Sequence, residues 1–153
     1  MSAEAKLKSL GIELPQRPAP LANYVGAVRL GDALYVSGHI PLGPDNKPLA
    51  TGKLGDTISV EQGYDLARHV ALMILGTVRG AVGDLDKVKR VVKVVGMINC
   101  TGDFTSQPRV LNGFSDLMVE VFGEEIGRHA RSAVGVASLP TGAPVEVEAV
   151  FGL

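Results

Sequence analysis

The chain has little of what many proteins use for chemistry. Its 153 residues include 1 cysteine, no tryptophan and 5% aromatic residues, and they carry a formal net charge of −1. The single thiol, Cys100, excludes an internal disulfide framework and a multi-cysteine metal cage within one chain, and it fits a reducing compartment. The balance of 15 Lys+Arg against 16 Asp+Glu argues against a nucleic-acid binder that works by bulk charge. Scarce aromatics leave few platforms for stacked bases. No run approaches the ~20 apolar residues of a membrane span, and the opening MSAEAKLKSLGIELP lacks the apolar centre of a secretory signal. Gly-rich phosphate signatures are missing, and Ser37 has no nucleophile elbow around it. These absences lead us to expect a cytoplasmic protein with no membrane association, folded as a single domain over 1–153.

What is present is a 46% apolar share, enough for a core without staples. Residues 3–10 read as a short amphipathic helix, and 15–21 as a Pro-rich, extended lead-in. Residues 23–30 and 33–38 read as strands joined by a tight hairpin at Gly31-Asp32. A loop dense in Gly, Pro and Asp fills 41–56. The apolar spacing from Val60 to Val82 predicts a helix, opened by a Ser59/Gln62 capping box and stopped at Gly83. A β-branched run follows over 87–100, with Gly96 marking a bulge or a close backbone approach. A second long helix spans 108–122, closed by Gly123, and strands follow at 131–137 and 145–151. The order β-β-α-β-α-β-β, after a short helical prefix, predicts an α+β fold with both helices on one face of the sheet. An uncovered second face predicts a homo-oligomer.

Arg131 opens a strand of small residues, R-S-A-V-G-V-A. It can present its planar fork to a carboxylate, or form an ordinary surface salt bridge. In V-E-V-E-A-V, Glu146 and Glu148 face away from Val145, Val147 and Ala149. A carboxylate there can position or deprotonate water, or simply be the polar side of the strand. His39 stands at a strand end after Ser37-Gly38, and His129 lies two residues before Arg131, where it either meets a ligand or shapes the turn. With His69, the three histidines make no metal pattern, so no metal is expected.

Taken together, the segments resemble the RidA/YjgF family of reactive enamine/imine deaminases, some of whose members carry the older name endoribonuclease L-PSP. The motifs that carry the resemblance are N-Y-V at 23–25, L-Y-V-S-G-H-I-P at 34–41, G-D-L-D-K-V at 83–88, V-L-N-G at 110–113, R-S-A-V-G-V-A-S-L-P at 131–140 and V-E-V-E-A-V at 145–150. The resemblance implies a chorismate-mutase-like fold, a homotrimer with clefts between subunits, and no cofactor. It implies that Arg131 binds a substrate carboxylate and that Glu146 handles water, with Tyr24, Ser37 and Asn112 lining the cleft. Ala133 stands where many members carry a cysteine, His39 replaces a common glutamine, and Gln107-Pro108-Arg109 looks like an insertion. The implied reaction is hydrolysis of a 2-aminoacrylate-type imino acid to a 2-keto acid and ammonia. The alternatives are a non-catalytic module that holds small carboxylates, and an endoribonuclease, which the charge balance disfavours.

Overall fold

The computed structural model describes residues 1–16 and 22–153, so most of the expected Pro-rich lead-in, 17–21, lies outside the described residues. The elements are α1 (Ala3–Ser9), β1 (Ala27–Leu30), β2 (Ala33–His39), α2 (Val60–Val82), β3 (Arg90–Asn99), α3 (Gln107–Gly127), β4 (Ala130–Val136) and β5 (Val145–Gly152). Local chemistry sets several of their ends. The Ser59 side chain accepts from the Gln62 backbone N–H at 3.1 Å, and the Gln62 side chain accepts from Ser59 N–H at 2.8 Å. This reciprocal cap satisfies two donors that the start of α2 would otherwise leave open. At the other end Gly83 takes a φ of 86°, as a left-handed cap requires.

Three boundaries differ from the sequence reading, each for a visible reason. β1 starts at Ala27 rather than 23, because the Ser37 hydroxyl donates to Val25 O at 2.6 Å and holds that stretch out of the ladder. β3 starts at Arg90 rather than 87, because Leu85–Lys87 form a 3-10 turn capped by the Asp84 side chain. Gly123 interrupts α3 with φ 79° and ψ 171°, but the chain turns on as far as Gly127 instead of stopping. A short third helix, α1, joins the two long ones, and its Leu7 is buried.

The sheet order is β1-β2-β5-β3-β4. β4 runs parallel to β3, with α3 as the crossover between them, and every other pairing is antiparallel. Both long helices cover one face. There α2 buries Val70, Ile74, Leu75 and Val78 while α3 buries Leu111, Phe114, Leu117 and Met118. Gly96 serves close approach rather than a bulge: a Cβ there would fall 2.5 Å from Leu111 Cδ1, whereas the register of β3 slips at Val91/Lys93. Among the described residues nothing covers the opposite face, and Val28, Leu30, Tyr35, Val92 and Val134 are 45–73% exposed. Among the described residues no helix is long and apolar enough to cross a membrane.

The crossing of α2 and α3 depends on Gly113, where a Cβ would be driven into the Tyr64 carbonyl of α2. Gly113→Ala should therefore cost about 2–3 kcal/mol, because backbone cannot move aside as a side chain can. Gly80 sits exposed on α2 with nothing within 4 Å of a built Cβ, so Gly80→Ala should gain about 0.5–1 kcal/mol from helix propensity. Thermal unfolding checks this pair, and shifts of the same sign would refute it.

Candidate functional site

Arg131 sits on the edge strand β4, in register with Val94 of β3. Val94 is fully buried beneath the helices, so Arg131 lies on the helix-covered face and reaches α3. Its Nη1 donates to Ser115 Oγ at 3.0 Å, and its Nη2 donates to Asn112 Oδ1 at 2.8 Å and, more weakly, to Pro108 O at 3.4 Å. A guanidinium carries five N–H donors. Three of them are used here, one only weakly, which fixes the fork and leaves the Nε hydrogen and one Nη1 hydrogen for a ligand. A cleft of about 830 Å³ opens beside it, lined by Asn112, Ser115, Arg128, His129 and Arg131 among others. The carboxylates of the same cleft have partners of their own. Asp116 accepts from Tyr64 Oη at 2.8 Å, Glu120 pairs with Arg68 at 2.7 Å, and Glu124 pairs with Arg128 at 3.1 Å. Among the described residues, Arg131 thus remains the cleft's arginine without a carboxylate partner.

His129 lies behind Arg131, edge-on to the Phe114 ring with centroids 6.2 Å apart. Burial holds its imidazole below the ordinary value, and the Arg131 charge acts in the same sense against the bond to Gly127. Ala133 is in register with Gly96 and packs half-buried against the core, on the same side as Arg131.

Glu146 belongs to the other face. Along β5, Val145, Val147, Ala149 and Phe151 are buried, and Glu146 and Glu148 alternate with them, as the sequence pattern requires. Glu146 lies across Gly38, where any side chain would collide with the carboxylate. The gap exists because β2 bulges between Val36 and His39. Burial pushes the Glu146 carboxyl up from its ordinary value, and the neighbouring Glu148 charge adds to that. A hollow of about 190 Å³ opens here, lined by Tyr24, Gly38, Pro140 and Glu146 among others. Tyr24 is half-exposed, and the Ser37 hydroxyl fastens the residue after it, so Ser37 bears on the hollow through Tyr24.

His39 was expected at the cleft, and it does border the hollow beside Tyr24 and Glu146, but from within the fold. Only 1% of it is exposed, its Nδ1 donates to Ser37 O at 2.6 Å, and its Nε2 is bonded to Thr77 Oγ1 of α2 at 2.8 Å. The ring is committed to the fold and anchors the bulge that opens Gly38. The sequence reading missed Gly38 and Ser115. Ser115 could have been found from its spacing, since it lies three residues after Asn112 and so shares a helix face with it. Cys100 stands apart from both groups, against Gln107 and Gly135. Among the described residues no three His, Cys, Asp or Glu side chains gather as metal ligands.

The structure thus brings Arg131, Asn112 and Ala133 together on one face, and Tyr24, Ser37 and Glu146 together on the other. It does not bring the two groups together, because the sheet itself lies between them.

Comparison with known proteins identifies the family and the fold. The sequence profile of the YjgF/chorismate-mutase-like endoribonuclease family matches residues 4–147. Protein TCP17 of Trypanosoma cruzi is 50% identical over 149 residues, covering 97% of this chain and 92% of that one. A Dermatophagoides farinae protein named 2-iminobutanoate/2-iminopropanoate deaminase is 32% identical over 139 residues, covering 91% and 92%. A solved structure from Shewanella oneidensis superposes with a TM-score of 0.93 at 31% identity, covering 100% of both chains. The fold is the chorismate-mutase-like α+β fold, here with a mixed five-stranded sheet and three helices. By sequence and by fold, the chain belongs to the RidA/YjgF family.

Proposed function

We propose that this protein hydrolyses small 2-imino acids and their enamine tautomers to 2-keto acids and ammonia, in a cleft built between copies of itself. The observation that carries the reading is the fixed fork of Arg131, held by three oxygens of its own chain with two N–H groups to spare. A planar cation so held suits a carboxylate, which can displace the weak 3.4 Å contact to Pro108 and so recruit an Nη2 hydrogen for two parallel bonds. The named activity of the Dermatophagoides farinae relative supports the choice of imino acid.

Clamping the carboxylate fixes the imine carbon one bond away. Glu146, supplied from the exposed face of a second copy, takes a proton from water as the C–O bond forms. It passes that proton to the nitrogen to give the carbinolamine, then carries the hydroxyl proton to nitrogen as the C–N bond breaks and C=O forms, so both water hydrogens leave on ammonia. Tyr24, held by Ser37, walls the cleft, and Asn112 keeps the fork in place. The bare apolar face supports assembly of the copies, and the partners are taken to be two further chains in a closed homotrimer.

The test mixes the protein with a threonine dehydratase and follows 2-iminobutanoate decay, with the assembly mass measured in parallel. Faster decay in a particle near three times 16.0 kDa is expected. Saturable binding of 2-oxobutanoate without turnover would favour a non-catalytic carboxylate-binding module instead. Absence of both would overturn the carboxylate reading altogether.

A further inference from the structure

The fork of Arg131 is held by more than the residues it touches. One of its holders, Ser115, is itself bonded to His129, with Ser115 Oγ and His129 Nε2 3.0 Å apart. On the far side of the ring, His129 Nδ1 lies 2.7 Å from Gly127 O. The direction of every bond in this chain is determined. A backbone carbonyl only accepts, so Nδ1 carries hydrogen and donates to Gly127. Arginine only donates, so Ser115 Oγ accepts from Arg131. In the neutral ring Nε2 is then bare and takes the Ser115 hydroxyl hydrogen. The line runs Arg131 to Ser115 to His129 to Gly127, with one hydrogen per link and each of these side-chain contacts satisfied.

The end of the line is rigid for a reason set in the backbone. Gly127 follows the break at Gly123 and returns against the first part of α3, where a Cβ would meet Met118 O and Val119 Cα. The ring is further fixed by its edge contact with Phe114. Among the described residues the charged groups around it have partners of their own. On α3, Asp116, Glu120 and Glu124 are bonded to Tyr64, Arg68 and Arg128. On β3, the nearby Lys93 donates to Ser132 Oγ at 3.0 Å. On β4, which it leads into, the charge beside it is Arg131 itself, and the preceding Arg128 is paired with Glu124.

We propose that Ser115 and His129 are positioning residues for Arg131, and that through them the turn at Gly127 sets the angle at which the guanidinium meets the substrate carboxylate. This deepens the deaminase reading of the cleft and rests on it. Ser115 is the one atom-sized joint between ring and fork, so its hydroxyl must both accept and donate. Threonine keeps that capacity and alanine loses it. Glutamine in place of His129 keeps an acceptor oxygen within reach of the hydroxyl, and phenylalanine keeps only the ring.

Binding of 2-oxobutanoate by calorimetry and the kinetics of 2-iminobutanoate hydrolysis test this together. For Ser115→Ala, Kd and KM are expected to rise about tenfold with kcat within about twofold, as for loss of one bond to a charged group. Ser115→Thr should return both to within about twofold of the unmodified protein. His129→Phe should match Ser115→Ala, and His129→Gln should recover most of the loss. If His129→Phe fails to fold, the serine pair decides alone. Nitrogen NMR of the ring should show hydrogen on Nδ1 and a bare Nε2, and the reverse tautomer would overturn the proposal. Unchanged Kd and KM in Ser115→Ala would overturn it too, provided Arg131→Ala abolishes binding. If Arg131→Ala also leaves binding intact, it is the deaminase reading that fails.

Discussion

Replacing Arg131 with alanine is expected to lower kcat/KM for 2-iminobutanoate by about 100- to 1000-fold, the largest effect of any single change in the cleft. The loss is the bidentate, charge-assisted clamp on the substrate carboxylate, and with it the placement of the imine carbon. The fold should survive. Arg131 is only partly buried, and the oxygens of Ser115, Asn112 and Pro108 that it leaves line an open cleft where water can take its place. Arg131→Lys restores the charge without the fork, and should recover no more than about tenfold of the loss. Steady-state kinetics at matched protein concentration measure both variants, with circular dichroism to confirm folding. An alanine variant within threefold of the unmodified rate would end the carboxylate-clamp reading.

Glu146→Gln should act on a different parameter. The glutamine keeps the shape and one acceptor oxygen but cannot hold a proton, so kcat should fall about 100-fold or more while KM stays close to its original value. The pH profile separates this role from a merely structural one. Burial, then the Glu148 charge, raise the Glu146 carboxyl above its ordinary 4.5. The working form is the carboxylate, so activity is lost as pH falls through that raised value. Glu148→Gln removes the lesser cause and should move the acid limb part of the way back toward lower pH. A limb that stays fixed in Glu148→Gln and persists in Glu146→Gln would assign the titration to another group. Stability carries the opposite sign. A carboxyl whose folded value is raised supports the fold below its unfolded value, and that support is lost as pH rises through the folded one. Glu146→Gln should therefore make stability flatter across that window.

The sequence carries much of this fold, because many of its signals are local. The capping box at Ser59 and Gln62, the left-handed cap at Gly83 and the alternation along β5 depend on neighbours within a few residues, and each appears where its pattern places it. The departures come from contacts made across long separations. The hydroxyl of Ser37 reaches back 12 residues to Val25 and shortens β1. The bulge that opens Gly38 for Glu146 is anchored by His39 on Thr77, 38 residues away. No period or propensity in the chain announces such bonds. The same limit applies to the site. Arg131 and Glu146 were identifiable as residues, but their lying on opposite sides of the sheet follows from register, since Arg131 pairs with Val94 and Glu146 with Met97, an odd number of residues apart on β3. Ser115 was overlooked because a serine inside an amphipathic helix looks like ordinary surface until the strand beside it is known.

The sheet that separates Arg131 from Glu146 also has a consequence for heredity. If neither chain alone holds a complete cleft, the unit of function is the seam between two copies, and a lesion in one half does not disable the other half. Two defective alleles, one broken at the arginine and one at the glutamate, would supply each other's missing part wherever their products assemble together. In a closed ring built at random from equal amounts of both, about one seam in four joins two intact halves. If imine hydrolysis is the reaction, a cell carrying only damaged copies of this gene would then still perform it.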